Sequence, residues 1–91
     1  MNVHKNVERH RYEATEGDQV VGYIDYRARG DAVELPHTVV EPGHEGKGVG
    51  SALARFALDD IARAGRKVMP TCSFVAGYIE RHPQDAALVA S

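Results

Sequence analysis

The chain is short of cysteine, of net charge and of long apolar runs, and each shortage excludes something. Its single cysteine, Cys72, forbids an internal disulfide and cannot build a zinc cluster alone, which suits a reducing, intracellular setting. Eleven Lys and Arg stand against 13 Asp and Glu, for a net charge of −2 and a pI near 6.2. Without a basic excess there is little counterion release to gain, so no nucleic-acid partner is expected. No apolar run approaches the roughly 20 residues that a membrane span needs. The start, MNVHKNVERHRYEA, lacks the apolar stretch of a secretory signal. The expectation is a soluble, cytoplasmic protein without a membrane partner. At 91 residues it falls short of a dinucleotide-binding doubly wound sheet, a kinase or a barrel enzyme. With 43% apolar and 26% charged residues, and no repeat or linker, residues 1–91 read as one globular domain with a modest core.

Val7 to Ala14 mixes apolar and polar residues and ends at a turn signal, Glu16-Gly17-Asp18. Gln19 to Arg27, QVVGYIDYR, is rich in β-branched and aromatic residues, as a strand requires. Strict alternation would turn Val21, Tyr23 and Asp25 one way and Val20, Ile24 and Tyr26 the other. After the turn Ala28-Arg29-Gly30-Asp31, the segment Ala32 to Val40 sets Val33, Leu35, His37 and Val39 at period two. These three segments predict an antiparallel meander. Pro36 has no N–H for the ladder, which predicts a bulge or an edge position there.

The period changes at Val49. Ala52, Leu53, Phe56, Ala57, Ile61 and Ala64 recur at helical spacing, Arg55, Asp59 and Arg63 mark the opposite face, and Gly65 sits at the left-handed cap position. Lys67 to Thr71 reads as a short strand. A second amphipathic helix starts near Ser73, carries Phe74, Val75, Tyr78 and Ile79, and closes at His82-Pro83. The tail from Gln84 to Ser91 is ambiguous between a helical turn and a strand. The predicted class is α+β, with N-terminal antiparallel strands continuing into a mixed sheet that two helices pack against.

Between the third strand and the first helix, Glu41 to Gly50 holds four of the nine glycines. Such a loop lets an anion approach the backbone, and the first amides of the helix are unpaired and at the positive end of its dipole. Lys47 adds a mobile positive charge. A Walker A loop is excluded, because Glu41 stands where its first glycine belongs and Gly48 where Ser or Thr must follow the lysine. The dinucleotide fingerprint fails at Ser51, its third glycine position.

The run His44-Glu45-Gly46-Lys47-Gly48-Val49-Gly50-Ser51-Ala52-Leu53 resembles motif A of the GNAT acetyltransferase superfamily, Gln/Arg-x-x-Gly-x-Gly/Ala. In register, Glu45 takes the Gln/Arg position, a departure, while Gly48 and Gly50 take the small ones. With His37-Thr38-Val39-Val40, the Pro70-Thr71-Cys72 segment and the terminal Arg81-His82-Pro83, the likeness extends over roughly Gly22 to Val89, to the minimal single-domain GNAT-like proteins. It implies a GNAT-like core without the usual N-terminal helices, and acetyl-CoA as cosubstrate; no metal is expected, since the histidine spacings assemble no metal site with Cys72. Its pyrophosphate would lie on Glu45, Gly46, Lys47, Gly48, Val49, Gly50 and Ser51, and its pantetheine arm along Val39 and Val40.

Cys72 stands just before the second helix, where the positive helix end favours the thiolate; burial as an inert core residue is the plain alternative. The resemblance sets such a cysteine near the acetyl thioester. His37 is a candidate general base for an amine or activator of Cys72, with a histidine bonded within the sheet as the plain alternative. The resulting expectation is an N-acetyltransferase acting on an unidentified amine, directly or through Cys72, with a homo-oligomer as an open possibility. A non-catalytic acyl-CoA binding or sensing module, and a protein-interaction domain, are the alternatives on the same scaffold.

Overall fold

A computed structural model describes residues 1–90. The elements run β1 (Asn2–Asn6), β2 (Arg11–Glu16), β3 (Gln19–Arg29), β4 (Ala32–Val40), α1 (Val49–Arg63), β5 (Lys67–Met69) and α2 (Ser73–Glu80), followed by a 3-10 turn at Pro83–Leu88. The strands lie in chain order in one curled sheet. It is antiparallel from β1 to β4, and β5 then joins β4 in parallel after the α1 crossover. The α+β class and the mixed sheet with its helices are as the sequence predicts.

β1 was not anticipated. Its sequence, NVHKN, has one apolar residue, because an edge strand buries little of either face. It pairs with β2 from Asn2 opposite Thr15 to Asn6 opposite Arg11. The expected segment Val7 to Ala14 is therefore divided between a turn and the start of β2. The tail is both things at once: a 3-10 turn, then a bridge in which Val89 pairs with Val68. Its final residue, Ser91, lies outside the described residues.

Two bulges decide which residues face the core. Thr15 pairs with Val20 and Ala14 with Gly22, so Val21 has no partner of its own. The extra residue resets the alternation, and Val21 and Ile24 are both buried in the core, not on opposite faces as strict alternation requires. The second bulge lies between the pairs Asp25–His37 and Arg27–Glu34, where Leu35 and Pro36 together oppose Tyr26. Pro36 thus sits in a bulge, where its missing N–H costs no regular ladder bond.

The core lies between the sheet and the helices. Leu53, Leu58 and Ile61 of α1 meet Tyr12, Ile24 and Leu35 of the sheet, and Val68 and Val75 close it at the β5–α2 side. α1 ends as expected, with Gly65 at φ 71° and the amides of Gly65 and Arg66 bonded to the carbonyls of Ala62 and Ile61. On the outer face of α1, Arg55 meets Asp59, as the spacing predicts, and also grips Asp85 with two bonds of 2.8 and 2.9 Å. No helix among the described residues is long and apolar enough to cross a membrane.

Candidate functional site

The glycine loop delivers the start of α1 with its donors free. Gly48 is the N-cap at φ 80° and ψ 12°, a left-handed conformation that costs a residue with a Cβ about 1–2 kcal/mol. No side chain caps the helix, and no acidic residue occupies its first turn. The first helical bond runs from the Ala52 amide to the Gly48 carbonyl, leaving the amides of Val49, Gly50 and Ser51 without backbone acceptors. Glu45 serves its own loop: its Oε1 accepts from the Gly43 amide at 2.8 Å. Its own amide and that of Gly43 hold its carboxyl below the usual range.

These donors open onto a cleft of about 320 Å³, which also has Val40 of β4 and Phe74 of α2 in its walls. Of the expected cofactor residues, the cleft gathers Val40, Glu45, Gly46, Gly48, Val49, Gly50 and Ser51. Lys47 is exposed beside them without lining the wall. Phe74, which helical spacing places in the packing stripe of α2, instead has 37% of its surface exposed. Its ring lies so close over Gly50 that a Cβ there would come within 2.7 Å of the Phe74 Cζ. Glycine at position 50 is what lets α1 and α2 approach.

The bulge at Leu35 and Pro36 controls what β4 presents. Val40 and Leu35 pack into the core, so Thr38 shares their face, while His37 and Val39 turn to the face without helices. Thr38 Oγ1 accordingly lies 3.3 Å from Cys72 Sγ. His37 is exposed, with its ring centroid 6.4 Å from that of Tyr23, and Arg11 covers the same tyrosine at 4.1 Å. The structure therefore separates His37 from Cys72 across the sheet and brings Thr38 to the cysteine. Thr38 and Phe74 are the site residues that sequence reasoning missed. The proline in the third strand was the available signal for Thr38, since a bulge there inverts the alternation that follows.

The backbone of β4 is similarly polarised. The Glu41 amide donates to Val21 of β3, and alternation then directs the polar groups of Val39 and His37 to β3 and those of Val40 and Thr38 to the other edge. β5 covers that edge only as far as Glu34, after which the Cys72 amide bonds Leu35. Beyond it the outward amide of Thr38 faces the Cys72 thiol, and the edge at Val40 is left open.

Cys72 is the half-buried N-cap of α2. Burial pushes its thiol up, but the Thr38 hydroxyl and the amides of Val75, Phe74 and Thr38 outweigh it, and the net pKa is lowered. Tyr78 is 5% exposed and stacks on His82 at 4.0 Å, a packing role. His82 Nδ1 lies 2.8 Å from the Tyr78 carbonyl, which can only accept, so that nitrogen carries the proton.

A family model described as GCN5-related N-acetyl-transferase matches residues 11–88. The protein NATD1 of Gallus gallus, Mus musculus and Homo sapiens is 33% identical over 51 residues, which is 56% of this chain. The match takes in 45–46% of those proteins, so the chain spans about half the length of the curated relatives it matches. A solution structure of a GCN5-like protein from Staphylococcus aureus superposes with a TM-score of 0.75 at 17% identity, covering 99% of this chain and 88% of that one. At that identity the likeness is one of fold.

Proposed function

Because the chain belongs to the GCN5-related N-acetyltransferase family, we propose that it binds acetyl-CoA at the start of α1 and transfers the acetyl group to an amine. One observation carries the reading: the uncapped amides of Val49, Gly50 and Ser51 open onto a cleft that leads to the unpaired edge of β4. The residues fit a pyrophosphate. Three amides at a positive helix end favour an anion, and open space surrounds Gly46 and Gly48, so no Cβ holds the phosphates away. Lys47 adds a mobile cation, and Glu45, standing where the family motif has Gln or Arg, spends its charge on the amides of its own loop.

Acetyl-CoA supplies an acetyl group activated as a thioester. The chain supplies position. The outward amide of Val40 is the donor for the pantetheine arm, and the Thr38 amide, which faces Cys72 Sγ, stands beside the reacting carbonyl, so the arm follows Val40 and not Val39. α1 and α2 fill one side of the sheet, so the acceptor approaches from the open side. His37 lies there, and we assign it to take the proton that the amine sheds. Cys72, on the helix side, forms the wall behind the carbonyl.

The lowered thiol pKa supports a second reading, in which the acetyl group passes first to Cys72 Sγ and then to the amine. A Cys72→Ala variant separates the two: direct transfer survives it and transfer through the thiol does not.

Calorimetric titration with acetyl-CoA tests the reading. Saturable binding in the micromolar range is expected, and Gly48→Asp, which sets a carboxylate at the mouth of the amides, should weaken it about tenfold or more. Absence of saturation at millimolar ligand would overturn it. Binding without turnover on any amine would leave a CoA-binding or sensing module.

A further inference from the structure

At the far end of α1, some 15 residues at about 1.5 Å each from the glycine loop, a second cavity opens between helix and sheet. It measures about 170 Å³, and Val33, Ile61, Tyr12 and Tyr26 are among its walls, with Lys5 and Arg66 also lining it. An apolar cavity of about 150 Å³ is enough to hold a benzene ring. A shallower depression, which has Arg27 in its wall, adjoins it and shares Tyr26 and Ala28.

In the walls of this cavity Lys5 and Arg66 stand against Asp60, and in the adjoining depression Arg27 stands against Asp25, which leaves one positive charge in excess. Asp60 is already served by two donors, the Tyr12 hydroxyl at 2.8 Å and Lys5 Nζ at 3.2 Å. Lys5 is held in place, 5.2 and 5.9 Å from the centroids of Tyr26 and Tyr12. Arg66 makes no ion pair among the described residues, nor does Arg27. The amides of Ala64, Gly65 and Arg66 occupy the carbonyls of Asp60, Ala62 and Ile61, which lessens the negative potential of this helix end. An apolar floor thus lies beneath a rim with one surplus positive charge, at Arg66.

The geometry points to a second ligand site at this end of α1, one that takes a small organic carboxylate with a ring-sized apolar body. The body fills the floor between Val33 and Ile61, and the carboxylate meets Arg66 and Lys5 at the rim. The site shares no residue with the cleft at the glycine loop and stands or falls independently of acetyl-CoA binding.

Phenylacetate is the probe, followed by amide chemical-shift changes in the full chain, with benzylamine as its cationic counterpart. Saturable shifts are expected at Tyr26, Ala28, Ala64 and Arg66, with those of Gly46 to Ser51 unmoved. Arg66→Gln should weaken binding about threefold, the scale of one exposed charge pair. Ala28→Leu, at an exposed wall position, should fill the cavity and abolish the shifts while leaving the remaining spectrum folded. Shifts that do not saturate, benzylamine binding as tightly as phenylacetate, or indifference to Ala28→Leu would each overturn the site.

Discussion

Thr38 Oγ1 and Cys72 Sγ, 34 residues apart in the chain, lie 3.3 Å from each other where β4 passes the start of α2. The contact stabilises the thiolate against the burial that opposes it. Alkylation of the native protein by iodoacetamide, followed against pH, should therefore show a midpoint below that of the same thiol in the urea-unfolded chain. Thr38→Val should move that midpoint up. The sign of the linked stability follows. A folded pKa below the unfolded one contributes stability that is fully present above the unfolded value and is lost as pH falls through the folded value. Urea midpoints of the parent should rise relative to those of Thr38→Val as pH increases across that window. Identical alkylation profiles for the two proteins would show that the hydroxyl does not act on the thiol.

Gly50 and Phe74 test how closely α1 and α2 must approach. Gly50→Ala places a methyl 2.7 Å from the Phe74 ring, which has to swing outward. The expected loss is about 1 kcal/mol, overpacking offset in part by the better helix propensity of alanine. In a Phe74→Ala background the same substitution should be neutral or stabilising, since only propensity remains. Equal losses in both backgrounds in urea denaturation would place the strain elsewhere.

At Gly48 the issue is backbone conformation, because its φ is 80° and a Cβ there meets no other atom within 4 Å. Gly48→Ala should cost about 1–2 kcal/mol through the left-handed conformation alone. Gly48→Asn should cost less, as asparagine visits that region more readily. Thermal denaturation of the pair checks the order, and a harmless alanine would mean that the loop relaxes out of the left-handed cap.

Arg55 and Asp85 hold the tail against α1. Asp85 is 4% exposed and takes two bonds from the guanidinium, so Arg55→Met would strand a buried carboxylate. A loss of about 2 kcal/mol is expected, less than for a wholly buried pair because the arginine is partly exposed. Adding Asp85→Asn to Arg55→Met should recover part of it, since a neutral amide needs no counter-charge. The exposed Asp59 contact is worth little by comparison, so Asp59→Asn should shift the urea midpoint only slightly.

Local physics made much of this protein legible in its residues. The helical period from Val49, the cap at Gly65 and the disruption at Pro36 depend on neighbours within a few positions, and each stands where the sequence placed it. The glycine loop before an uncapped helix is local in the same way, and most of its expected residues gather around one cleft. β1 escaped notice because an edge strand needs few apolar residues, and its identity rests on pairing with β2.

What only the tertiary structure decided is the facing of β3 and β4 and every contact made between distant segments. A bulge is a mismatch in counting between two strands, so the single residue that sends Val21 and Ile24 to one side exists only once β2 and β3 are in register. The second bulge turns His37 to the open face and Thr38 toward Cys72 by the same mechanism. Phe74 over Gly50 and Arg55 on Asp85 depend on how α1, α2 and the tail pack together. Composition and periodicity constrain each segment on its own, whereas strand facing follows from register between neighbouring strands and these side-chain contacts from the packing of segments far apart in the chain.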